Sequence, residues 1–140
     1  MFKLNLAIIS DRIQLDGKEF IYLCQSDSVY NGRGYQFIFD DDLDKQLAVF
    51  RRDGQLYCLS NICPHRHQDK IFDGIIRDMK VSCPEHGWTY ELATGKNVNP
   101  LQGLRKLKKY EIFEKNGKIY IEFPEFEIPK WREKMSLDNK

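Results

Sequence analysis

The residues most able to do chemistry lie in two short strings, Cys63-Pro64-His65 and Cys83-Pro84-Glu85-His86, with seventeen residues separating His65 from Cys83. Each string presents one thiol and one imidazole, so together they offer four soft or borderline metal ligands. Such a set closes a tetrahedral zinc site, or it sorts over a two-iron cluster with both cysteines on one iron and both histidines on the other. Zinc fingers usually pair Cys with Cys and His with His on one hairpin-and-helix unit. Here each string mixes the two, Pro directly follows each Cys, and Gly87-Trp88 follows the last histidine. This pattern favours the two-iron arrangement. Four cysteines also allow two disulfides, but in a reducing compartment paired Cys/His spacings more often mean metal. Cys24 and Cys58 have no histidine nearby and read as small buried residues within strands.

The rest of the chain must hold these strings. Its 140 residues fit one domain with room for a core but not for a second large catalytic domain. Hydrophobic residues make up 41% and charged residues 31%, as in ordinary globular proteins, and no apolar run is long enough to span a bilayer. The first residues, Met1-Phe2-Lys3-Leu4-Asn5-Leu6, interrupt their apolar side chains with polar ones, unlike a secretory leader. The expected location is therefore the cytoplasm. Net charge is +1, with no Arg/Lys cluster interleaved with aromatics, so neither a nucleic acid nor a membrane is an expected partner.

Short runs of β-branched and aromatic residues between turn residues predict an all-β fold. Strands are expected near residues 2–8, 19–24, 35–39, 47–52, 55–60, 79–82, 107–113 and 118–123. Asp53-Gly54 and Asn116-Gly117 mark two hairpins whose turns want positive φ. Between Asn61 and Gly103 the pattern turns to Pro, Gly, His and Cys, a length of irregular chain that compact domains rarely tolerate without a purpose. Asp40-Asp41-Asp42 with Asp44 reads as a solvated turn. The alternation Phe2, Leu4, Leu6, Ile8 predicts a half-buried strand that extends the sheet. Residues 124–140 form a tail, with a short helix near Lys130–Met135 or a frayed end, and its Phe126, Ile128 and Trp131 are candidates to pack on a partner or a second copy.

Over residues 46–123 the two strings, with Gly87-Trp88 after them, resemble the Rieske ferredoxin family. The resemblance implies a β-sandwich at 1–123 carrying a small cluster-binding subdomain of two ligand loops, with one [2Fe–2S] cluster. It implies Cys63 and Cys83 as ligands to one iron and His65 and His86 as ligands to the other. A third loop, Asn97-Val98-Asn99-Pro100, stands where the family covers its cluster with a proline, here Pro100. Gly87 would permit close backbone approach, with N–H groups aimed at sulfur, and Trp88 would pack under the cluster. His67 occupies a place where many relatives have glycine and is expected to be solvent-exposed.

High-potential members carry a disulfide between the loops and a serine and a tyrosine that donate to sulfur. The ligand loops of this chain contain no further cysteine, Trp88 replaces the serine, and Tyr90 keeps a hydroxyl that would reach a cysteine sulfur. A low potential follows. The implied role is a single-electron carrier, fed by a flavin-type reductase and delivering to an oxygenase or another terminal reductase. A nitrite reductase small subunit is the alternative. An oxygenase in its own right would need a further iron held by two histidines and a carboxylate. After His86 there are 54 residues and no histidine, so the chain is not expected to be an enzyme.

Overall fold

The computed structural model describes residues 1–63, 68–85, 87–99, 101, 106–126 and 132. Among them twelve strands form three sheets. The first sheet contains β1 (Phe2–Leu4), β4 (Gly34–Phe39), β5 (Gln46–Arg52), β6 (Gln55–Ser60) and β10 (Lys109–Tyr110), in the order β1-β4-β5-β6-β10. The second contains β2 (Arg12–Leu15), β3 (Lys18–Gln25), β11 (Ile112–Lys115) and β12 (Lys118–Glu122), in the order β11-β12-β3-β2. A smaller sheet holds β7 (Ile75–Arg77), β8 (Lys80–Ser82) and β9 (Thr89–Glu91). No helix among the described residues is long and apolar enough to cross a membrane.

The run Leu47-Ala48-Val49-Phe50 explains how three layers form. Successive strand side chains point to opposite faces, so a strand buried on both faces reads as a continuous apolar run. Leu47 and Val49 enter a core shared with Ile21, Leu23, Ile119 and Ile121, which joins the two large sheets into a sandwich. Ala48 and Phe50 enter a second core with Ile71, Val81, Cys63 and Cys83. β6 divides in the same way, Cys58 going to the sandwich core and Leu59 to the second. The small sheet therefore docks on the outer face of the first sheet.

Both expected hairpins form. Arg52 pairs with Gln55 across Asp53 (φ 52°) and Gly54 (φ 80°), and Lys115 pairs with Lys118 across Asn116 (φ 53°) and Gly117 (φ 75°). Other expectations need correction. The strand expected over residues 2–8 stops at Leu4, because the Asn5 side chain accepts from Ala7 N–H at 3.0 Å and Leu6 N–H turns to Asp40 Oδ1 at 2.8 Å. The strand expected over 107–113 is two strands in different sheets, since Tyr110 pairs with Cys58 while Ile112 pairs with Ile121. β2, β7 and β9 were not expected, being too short for a clear period. Of the described tail residues, Phe126 packs half-buried on the sandwich core, with its ring centroid 5.5 Å from that of Phe39. Ile128 and Trp131 lie outside the described residues. The acidic turn is no bare solvated loop, because Arg132 donates to Asp42 at 2.8 and 2.7 Å and to Asp44 at 2.6 Å.

Candidate metal centre

The two cysteine loops are built on the same device. Cys63 follows β6, and its N–H donates to the Gln68 carbonyl at 2.8 Å; Cys83 follows β8, and its N–H donates to the Trp88 carbonyl at 2.8 Å. Each loop is thus closed from its cysteine to the fifth residue on, and the histidines of the two strings fall inside these closures. His65, Arg66, His67, His86 and Pro100 lie outside the described residues.

Both cysteine side chains are 2% exposed, and both belong to the second core, with Tyr90, Leu92 and Leu107. Neither is in a disulfide, so two sulfur donors from two loops meet one apolar, water-excluding core. The Tyr90 hydroxyl lies 3.4 Å from Cys63 Sγ. Cys24 and Cys58 behave differently. Burial pushes the Cys24 thiol up to about 12 and the Cys58 thiol higher still, which keeps both protonated as packing residues of the strands, as expected.

Gly87 N–H donates to the Cys83 carbonyl at 2.8 Å. Its φ of 71° is the reason for glycine here: the turn needs a left-handed residue. Trp88 is half-buried at the margin of the second core rather than fully within it. In the third loop, Val98 N–H donates to the Thr89 carbonyl at 3.0 Å, which lays Asn97 against Tyr90. Asn97 Oδ1 accepts from Asn99 N–H at 2.9 Å, and Asn99 Oδ1 accepts from Leu101 N–H at 3.0 Å, so side-chain turns shape the chain on both sides of position 100.

These features fit an iron–sulfur cluster. The donor set contains two buried thiols on separate loops, and a hydroxyl stands beside one sulfur. Asn97 Nδ2, in the third loop, is buried with no hydrogen-bond partner among the described residues. Sequence reasoning passed over Asn61 and Gln46, which are buried and tie the first loop to the sheet. The only signal was a polar residue directly ending an apolar strand, two positions before Cys63.

Among known proteins, the ferredoxin subunit of the 3-phenylpropionate/cinnamic acid dioxygenase of Shigella flexneri is 28% identical over 105 residues, which cover 75% of this chain and 94% of that one. The cholesterol 7-desaturase nvd of Hemicentrotus pulcherrimus is 31% identical over 85 residues, covering 54% of this chain and 18% of the relative. The chain spans less than a third of the length of the cholesterol 7-desaturases it matches. In three dimensions the ferredoxin of Sphingomonas yanoikuyae B1 superposes with a TM-score of 0.64 at 27% identity, over 74% of this chain and 97% of that one. The family model of the Rieske [2Fe–2S] domain matches residues 19–111, and the chain belongs to that family, whose cofactor is one [2Fe–2S] cluster.

Proposed function

We propose that Cys63 and Cys83 ligate one iron of the cluster and His65 and His86 the other, and that the chain carries single electrons from a flavin-type reductase to an oxygenase. The observation that carries this reading is the convergence of two buried cysteines from separate loops on one core, with the Tyr90 hydroxyl at Cys63 Sγ. When bound, the cluster supplies the one-electron chemistry. The chain supplies the rest. Leu92, Leu107 and Val81 exclude water from the sulfur side, the loop closures at Gln68 and Trp88 orient the cysteines, and Tyr90 donates to a thiolate.

A carrier role is favoured over catalysis on two grounds. The ferredoxin subunit of a dioxygenase is matched over 94% of its length, whereas the desaturase is matched over 18%. The three histidines of the sequence, at 65, 67 and 86, all fall in the two ligand strings, so no second pair remains in this chain for a mononuclear iron. The setting is read as reducing and cytoplasmic, since none of the described cysteines is in a disulfide. Residues 1–123 are read as the cluster-binding domain and 124–140 as its tail.

The test is chemical and spectroscopic. Protein made under iron-replete conditions is expected to contain about two irons and two acid-labile sulfides per chain, to show the low-g resonance of mixed His/Cys ligation once reduced, and to pass its electron to an oxygenase. Stoichiometric zinc without sulfide would overturn the ligand assignment.

A further inference from the structure

Two buried amides join the first cysteine loop to the sheet. Asn61 and Gln46 are 0% and 1% exposed, the buried polar residues of the core. Asn61 N–H donates to the Gln46 carbonyl at 3.1 Å. Its Nδ2 donates to Gln46 Oε1 at 2.8 Å and to the Asp69 carbonyl at 2.9 Å, and its Oδ1 accepts from Phe72 N–H at 2.8 Å. Gln46 is committed as fully: Nε2 donates to the Leu43 carbonyl at 2.9 Å and to Asp69 Oδ2 at 3.2 Å, while Oε1 also accepts from Gln36 Nε2 at 2.8 Å.

Every amide proton of both side chains is therefore used. A fully satisfied buried polar network specifies one arrangement, because any other would leave a donor or acceptor orphaned away from water. The arrangement specified here is that of the loop. Asn61 precedes Cys63 by two residues and grips the returning chain at Asp69 and Phe72, and the Cys63 N–H closes on Gln68 inside that grip. Three successive ties thus fix both ends of the segment that carries Cys63 and His65. The Gln46 end is anchored in β5, a strand buried on both faces.

We infer that Asn61 and Gln46 are positioning residues that hold the first ligand loop in its cluster-binding geometry, so that their network sets how fast the cluster is lost. This inference rests on the reading that the loop ligates the cluster. It differs from a general packing role in what it expects: removing the network loosens the loop and leaves the sandwich core unmoved.

The experiment uses the full-length protein as purified with its cluster. In Asn61→Leu, amide exchange at Cys63 and Phe72 is expected to rise at least tenfold, and bleaching of the visible cluster absorption to accelerate by a similar factor. Exchange at Ile21 and Ile121, in the sandwich core, is expected to keep the wild-type rate. Unchanged exchange at Cys63 and Phe72, or a uniform rise at all four positions, would overturn the inference. If Asn61→Leu fails to fold, Asp69→Ala decides, since it removes one acceptor at the loop end. Faster bleaching with an undisturbed core supports the inference, and wild-type bleaching rejects it. Iron and sulfide analysis of the wild-type protein separates the two ideas, because protein lacking both rejects the cluster reading while the exchange rates still judge the brace.

Discussion

The Tyr90 hydroxyl lies 3.4 Å from Cys63 Sγ, and both residues are buried in the core that also takes in Cys83. A thiolate on iron has no proton to give, so in the loaded protein the hydroxyl donates. Donation to ligand sulfur stabilises the reduced, more negative cluster. Tyr90→Phe is accordingly expected to lower the reduction potential by about 40 mV, taking one hydrogen bond at about 1 kcal/mol and 59 mV per tenfold change for one electron. Potentiometric titration of both proteins checks this, and equal potentials would show that the hydroxyl turns away once the cluster is bound.

The wild-type potential itself is expected in the lower half of the span of roughly −150 to +300 mV for Rieske centres. No disulfide joins the described cysteines, and Trp88 has no hydroxyl. The hydroxyls of Ser82 and Thr89, which flank the second loop, bond each other at 2.7 Å, and Thr89 donates to the Gly87 carbonyl at 3.1 Å, so neither is directed to sulfur. A measured value near +300 mV would refute this.

Ligand identity has its own signature. His65→Ala and His86→Ala are each expected to destabilise or abolish the cluster, since each removes one of two imidazoles from an iron, whereas His67→Ala is expected to retain it. Iron and sulfide content with the reduced-state spectrum reads the outcome. A cluster lost in the His67 variant and kept in the His65 variant would reassign the first loop.

The Arg132 guanidinium holds the Asp42 carboxyl below the usual carboxylate value, and both Asp42 oxygens receive it. A carboxyl depressed in the folded state contributes stability that is present above the unfolded value near about 3.9 and is lost as pH falls through the folded value. Arg132→Ala is therefore expected to be less stable than wild type at pH 7, with the difference closing below about pH 4. Denaturant melts at pH 7 and pH 3 measure it. Matching melts at pH 7 would mean that the clamp does not persist in solution.

Phe126 packs against Phe39 and lies 6.3 Å, ring to ring, from Tyr110. Phe126→Ala is expected to destabilise the fold by about 1–3 kcal/mol, below the cost of a fully buried phenylalanine because the ring is half-buried. A denaturant midpoint indistinguishable from wild type would return the tail to the role of a free segment.

By itself the sequence determined what neighbouring residues decide. Asp53-Gly54 and Asn116-Gly117 produce hairpins because positive φ at two successive positions is a local matter of backbone sterics. The apolar run Leu47-Ala48-Val49-Phe50 marks a strand, and the spacing of Cys63, His65, Cys83 and His86 carries the family resemblance, because both are patterns along the chain. Only the tertiary structure decided which cysteine Tyr90 meets, that the chain changes sheets between Tyr110 and Ile112, that Arg132 returns to Asp42, and that Asn61 and Gln46 brace the first loop. The hydrogen bonds among these join residues 15 to 90 positions apart, and they rest on how the sheets pack. A hydrogen bond exists or fails over less than an ångström of donor–acceptor separation, and no turn preference or strand period specifies position that finely.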